Sequence, residues 1–220
     1  MLRDATEFHA PGRVSGGTWE RIWAIAEYAQ DSFVVQLDAD TVTVERPTGV
    51  LEAIAQKASF TLGTDDGQRI APVAVTATWA RARAEGPSDH IQQQAESLLD
   101  QFDPPGQWQY VRGCSGFAGF APGSISPQRL HAVSDGMRAL LGERWDRWGT
   151  EQVTSNLLIA SSQNGRVLPH PEYCAPHRRT DATVFMHFIG YVRHKTGLYG
   201  QLATRLAREL AANPAGRRAA

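Results

Sequence analysis

The chain has 220 residues, enough for one sizeable core or two small ones. Hydrophobic residues make up 42% and charged residues 20%, and the net charge of −1 carries no basic stripe, so a globular protein without a nucleic-acid partner is expected. Two cysteines, Cys114 and Cys174, are too few for a disulfide framework. No apolar leader opens the chain and no apolar run approaches ~18 residues, so a cytoplasmic protein without a transmembrane segment is expected.

Residues 1–17 are polar and Gly-rich and read as a loop. Thr18 then sits where a helix cap belongs. Trp19, Ile22, Trp23 and Ala26 follow at i, i+3, i+4, i+7, one apolar stripe. Arg21 lies off that stripe and on spacing alone reads as an exposed helix arginine. Phe33 to Leu37 is a short apolar run with adjacent valines, which reads as a buried parallel strand. It ends in Asp38 and Asp40. Residues i and i+2 of an extended chain project to one side. Two carboxylates that close need a cation, a shared proton or a nearby arginine, and hard oxygen ligands at a sheet edge suit Mg²⁺ or Mn²⁺. An Asp-x-Asp triplet also serves as an ordinary solvated turn out of a strand.

Pro47-Thr48-Gly49 opens a second helix reaching about residue 57. Ser59 to Leu62 reads as a strand, closed by a turn over 63–67. Residues 70–86 are Ala-rich and fit helix or strand. Ser88-Asp89 is expected to cap a helix to about residue 102, stopped by Pro104-Pro105-Gly106. Trp108 to Phe120 reads as sheet with three glycines, Gly113, Gly116 and Gly119. Such a run signals close approach by a neighbouring strand, a β-bulge or a ligand. Ser126-Pro127 begins a helix to about residue 141, and Thr150 caps the next, Glu151 to about residue 161. Arg166 to Pro169 is a short strand, 170–182 a polar loop, and Val184 to Ile189 a final buried strand ending at Gly190. A helix from about residue 197 to 211 closes one domain over 1–212, and 213–220 reads as a disordered tail. Strands alternating with helices imply an α/β class with a mostly parallel sheet.

His187 ends an apolar strand, where a hydrogen-bonded core histidine is the ordinary occupant. Gly190 gives a tight exit, and Arg193, His194 and Lys195 form a cationic cluster. A divalent ion held by oxygens can accept one imidazole, and such cations suit a diphosphate. His170, Cys174 and His177 invite a zinc reading, but zinc wants four regularly spaced ligands, so a proline-braced loop is preferred. Glu151 in a first helical turn complements the helix dipole; with Gln152 it could also touch substrate hydroxyls.

Four segments together resemble a family: nucleotide-sugar-dependent glycosyltransferases of the GT-A fold, especially the glycogenin-like and lipopolysaccharide galactosyltransferase-like enzymes. These are the helix Trp19-Glu20-Arg21, the Asp38-Ala39-Asp40 triplet, the helix start Glu151-Gln152 to Asn156, and His187-Phe188-Ile189-Gly190 to Arg193. The resemblance spans about residue 18 to 195. It implies that Asp38, Asp40 and His187 hold Mn²⁺ or Mg²⁺, that Arg21 contacts the nucleotide-sugar donor, and that Glu151 and Gln152 lie near the transferred sugar. Arg193 stands where the family has lysine, with Lys195 nearby, to bind diphosphate. Cys114-Ser115-Gly116 replaces the family's Asn-Ala-Gly, and His194-Lys195 its Pro-Trp. The family carries roughly two further βα units in front, including the strand that holds the base. The expectation is therefore a GT-A-like, Rossmann-like domain truncated at its N-terminus: a metal-dependent glycosyltransferase acting on an acceptor hydroxyl, or an impaired sugar- or partner-binding pseudoenzyme. An open sheet edge would favour a homo-oligomer. The Asp38-Ala39-Asp40 triplet also fits haloacid-dehalogenase-like phosphatases, but no later acidic motif follows at their spacing.

Overall fold

The computed structural model describes residues 5–8, 18–63, 67–86, 89–103 and 106–212. Most of the expected N-terminal loop, the middle of the 63–67 turn, Ser88, Pro104-Pro105 and the 213–220 tail lie outside the described residues.

Helix α1 (Trp19–Tyr28) buries the expected stripe of Trp19, Ile22, Trp23 and Ala26. The Trp19 indole N–H donates to Thr150 Oγ1 at 2.9 Å, tying α1 to a distant helix start. Thr18 occupies the cap position without a side-chain cap hydrogen bond. Strands β1 (Val34–Leu37) and β2 (Thr41–Thr43) follow, then α2 (Thr48–Ala55), β3 (Phe60–Gly63), β4 (Ala71–Pro72) and α3 (Val73–Arg81). The expected 88–102 helix is two, α4 (Ile91–Glu96) and α5 (Leu99–Phe102), broken at Ser97-Leu98. Its cap is His90, whose Nδ1 accepts from the Gln92 N–H at 3.2 Å. Next come β5 (Gln109–Tyr110), β6 (Gly113–Phe120), α6 (Pro127–Leu141) and α7 (Thr150–Ala160). Ser126 caps α6 by accepting from the Arg129 N–H, whereas Thr150 is the first residue of α7 rather than its cap, which is Gly149. Strands β7 (Arg166–Val167), β8 (Tyr173–Cys174) and β9 (Phe185–His187) lead to α8 (Val192–Lys195) and α9 (Leu198–Ala212).

The class is mixed α/β, and the mostly parallel sheet is corrected. Of the six strand pairings among the described residues, four are antiparallel and two parallel. The main sheet runs β1-β6-β3-β7, and a second runs β2-β9-β8. β1 is also corrected. It is an antiparallel edge strand, with Val35 and Leu37 40% and 59% exposed. An apolar run reports that a strand buries side chains. It says nothing of the direction of its neighbour. The last strand is buried as expected, but β9 pairs in the second sheet.

The centre of the main sheet is β6, all eight residues of which are buried. Its glycines make room for side chains that lie over the strand. A Cβ on Gly113, Gly116 or Gly119 would sit 2.1 Å from Thr61 Oγ1, 2.0 Å from His187 Cε1 or 2.2 Å from Phe60 Cε1. The pairing of β3 with β6 shifts register between Thr61 and Leu62, the irregularity that a glycine-rich strand permits. One hydrophobic cluster joins α1, α6 and α7 through Trp19, Met137 and Leu157. Another, around Phe60, Phe117, Tyr173 and Phe185, joins the main sheet to the second. The Phe117 and Phe185 rings stack with centroids 3.9 Å apart. Among the described residues no helix is long and apolar enough to cross a membrane.

Candidate metal centre

The site lies where β1 leaves the main sheet and β2 enters the second. The Asp38 N–H donates to Gly116 O at 2.9 Å, which keeps the chain on β6 for one residue past β1. The following turn has every carbonyl occupied. Thr41 Oγ1 donates to Asp38 O at 2.8 Å, Tyr199 OH to Ala39 O at 2.7 Å, and the Phe188 N–H to Asp40 O at 2.8 Å. Thr41 then pairs directly with His187 across the β2–β9 ladder. The turn is thus fixed by three donors from three elements, and its side chains are held toward the end of β9.

Asp38, Asp40 and His187 converge, each offering one ligand atom within 4.8 Å of the others. His187 Nε2 lies 3.1 Å from Asp40 Oδ1 and 3.9 Å from Asp38 Oδ2. The second oxygen of each carboxylate is held by a cation: Asp38 Oδ1 by Arg21 Nη1 at 2.6 Å, Asp40 Oδ2 by Arg193 Nη1 at 3.5 Å. One oxygen of each aspartate therefore faces the imidazole, and the other is turned to a guanidinium.

The His187 ring crosses β6 over Gly116, where any Cβ would collide with it. Its Nδ1 is 3.2 Å from Cys114 Sγ. Burial lowers the pKa of His187, against the opposing pull of Asp40 and Asp38. Burial also pushes the Cys114 thiol up to about 11. Imidazole and thiol are accordingly neutral at pH 7, the state in which a histidine can ligate a metal.

These distances can be compared with what an ion requires. An octahedral Mg²⁺ or Mn²⁺ with ligands at about 2.1 Å places neighbouring ligand atoms about 3 Å apart and opposite ones about 4.2 Å apart. The 3.1 and 3.9 Å separations from His187 Nε2 fall within that range. Two carboxylate oxygens with one imidazole are a donor set for a hard divalent ion. Cys114 addresses the other ring nitrogen and does not belong to the set.

The remaining expected residues are placed differently. Glu151 is buried, and its Oε2 accepts from the Gly149 N–H at 3.1 Å, a local contact at the start of α7. Gln152 Oε1 accepts from the Ser115 N–H and Oγ, both at 3.2 Å, and its Nε2 donates to Gln92 Oε1 at 2.9 Å. That bond enters a network missed in the sequence. Gln92 Nε2 and Tyr110 OH donate to Glu96 Oε1 at 2.9 and 2.8 Å. Asn156 Nδ2 donates to Gly113 O at 3.0 Å. The available signal was the pairing of polar residues at i, i+4, Gln92 with Glu96 and Gln152 with Asn156, on helices that are otherwise apolar on that face. Gly190 has a left-handed φ of 60°, the tight exit its position suggested. The Lys195 ammonium lies 6.0 Å from the Tyr191 ring, outside the carboxylate cluster. His170, Cys174 and His177 form no metal-ligand cluster among the described residues, and Cys174 Sγ contacts Thr183 Oγ1 at 3.7 Å instead. No protein-family model, curated protein or solved structure matches this chain.

Proposed function

We propose that the protein is a metal-dependent glycosyltransferase that moves a sugar from a nucleotide-diphosphate donor to an acceptor hydroxyl. One observation carries the reading. Two carboxylate oxygens and a buried imidazole, 147 positions apart in the chain for Asp40 and His187, meet at spacings suited to Mn²⁺ or Mg²⁺. A divalent ion bound there would supply Lewis acidity to the departing diphosphate oxygens. The chain's own groups do the rest. Arg21 fixes Asp38 so that Oδ2 faces His187. Arg193, with 45% of its side chain exposed, offers a guanidinium fork beside the cluster for the diphosphate. Lys195 adds a second cation on the same short helix. Gln152 holds the Ser115 backbone and so positions the stretch of β6 that carries Gly116 under the imidazole. Glu151 fixes the start of that helix.

The Arg21–Asp38 and Arg193–Asp40 pairs favour a second reading. In it the same five side chains form a charge network that binds α1, the Asp turn and β9 together, in a non-catalytic protein. Release of nucleoside diphosphate from a panel of uridine, guanosine and adenosine diphosphate sugars, with and without Mn²⁺, separates the two. Mn²⁺-dependent release that Asp40→Asn abolishes supports transfer. No release from any donor, with the folded protein binding no Mn²⁺, leaves the charge network.

A further inference from the structure

A polar cavity of about 380 Å³ lies at the end of the main sheet where β1, β3 and β7 begin. Its walls come from the end of α2, the loop after β6 and the loop after α7. The lining includes Lys57, Arg129, Ser124, Ser162 and Asn164, and no aspartate or glutamate. Arg166 stands beside it, donating from Nη2 to the lining amide of Gln56 at 2.7 Å.

The cations here lack acidic partners. Arg129 packs its guanidinium over the Trp108 ring at 5.2 Å and donates from Nη1 to Ser124 O at 2.9 Å. Burial lowers its pKa, and no carboxylate offsets that cost. Lys57 makes no ion pair among the described residues. It also holds the single positive φ of a non-glycine residue among them, 49°, at a helix end where glycine or asparagine would be less strained. Ser124 Oγ is buried without a hydrogen-bond partner. An excess of positive charge, an orphaned hydroxyl and a concave polar wall together suit an anion.

We infer that this cavity binds a phosphate-bearing polar small molecule, with Arg129 and Lys57 neutralising the phosphate and Ser124 donating to it. The serine and amide lining suits hydroxyl groups on the remainder of such a ligand. The site shares no residue with the aspartate cluster and stands whether or not that cluster binds a metal.

The test titrates the full chain, in chelator and free of divalent metal, with inorganic phosphate and with glycerol 3-phosphate by calorimetry. Saturable binding of at least one probe is expected, unchanged in Asp38→Asn. Arg129→Gln is expected to weaken it about tenfold or more, and Lys57→Gln or Ser124→Ala several-fold. Ser124→Ala keeps the backbone carbonyl that Arg129 uses, so its effect does not depend on how the arginine variant folds. Equal binding of the two probes assigns recognition to the phosphate alone, and tighter binding of the ester extends it to the hydroxyl-bearing part. The inference is overturned if neither probe saturates, if Lys57→Gln and Ser124→Ala bind as wild type does, or if Asp38→Asn removes the binding.

Discussion

Two polar assemblies flank β6, and they differ in what they leave open. Cys114 and Gly116 face His187 and the aspartates, whereas Ser115, between them, faces Gln152. On the first side, charges of both signs stay partly exposed: the Arg21 and Asp38 side chains at 31% and 33%, and Arg193 at 45%. On the second side, Gln92, Glu96, Tyr110, Gln152 and Asn156 bond to one another and to β6, Arg112 lies 3.6 Å from Glu96 Oε1, and burial pushes the Glu96 carboxyl pKa up. The contrast separates two uses of polar groups in a core. One keeps carboxylate oxygens within reach of solvent. The other turns its donors inward to fix how α4 and α7 sit on the strand, and leaves only Glu96 Oε2 and Asn156 Oδ1 of these side chains buried without a hydrogen-bond partner.

The largest expected effect probes the strand both assemblies share. Gly116→Ala forces a methyl into the His187 ring, and overpacking here is expected to cost about 3 kcal/mol, read by denaturant unfolding. It should also abolish Mn²⁺ binding, because the imidazole cannot stay in place. A variant as stable as wild type would show that the ring does not lie where it is described. On the closed side, Tyr110→Phe removes a donor to Glu96 and should cost about 1–2 kcal/mol without altering Mn²⁺ binding. A loss of Mn²⁺ binding in that variant would erase the distinction between the two sides.

The two sides should also respond oppositely to pH. The folded-state pKa of Glu96 is raised, so its contribution to stability is present at low pH and is lost as pH rises above the unfolded carboxyl value of about 4.3 toward the folded one. Glu96→Gln should flatten that decline in a series of melting curves. The folded-state pKa of His187 is lowered, so stability is lost as pH falls below the unfolded histidine value of about 6.5, because the unfolded chain takes up the proton first. His187→Asn should remove that acid-side loss. The smallest effect is expected for Arg193→Ala, whose exposed pair should contribute under about 0.5 kcal/mol to stability. Its consequence should fall on the affinity for a nucleoside diphosphate.

Local chemistry was readable in the sequence where one element sufficed. The α1 stripe, the Ser126-Pro127 start of α6 and the Gly190 exit follow from spacing, capping and backbone rules that operate within a few residues. The Asp38-Ala39-Asp40 turn and His187 each stand out at a strand end, and in the sequence only the family resemblance joins them into one site. Their convergence depends on β2 pairing with β9, a contact across most of the chain that no local pattern encodes. The direction of β1 is hidden for the same reason: β6 reads as sheet despite its glycines, but it is remote in sequence and nothing local says that it pairs antiparallel with β1. Glu151 and Gln152 read in the sequence as polar residues at a helix start. What they bond to is decided by α4 and β6, which lie outside their own helix.

The most direct measurement is calorimetric titration of Mn²⁺ into the wild-type chain and into the Asp38→Asn, Asp40→Asn double variant, each with and without a nucleoside diphosphate. One saturable Mn²⁺ site is expected in the wild type, tightened by the nucleotide and absent from the variant. Equal Mn²⁺ binding by both proteins, or none by either, would contradict a divalent ion held by Asp38, Asp40 and His187.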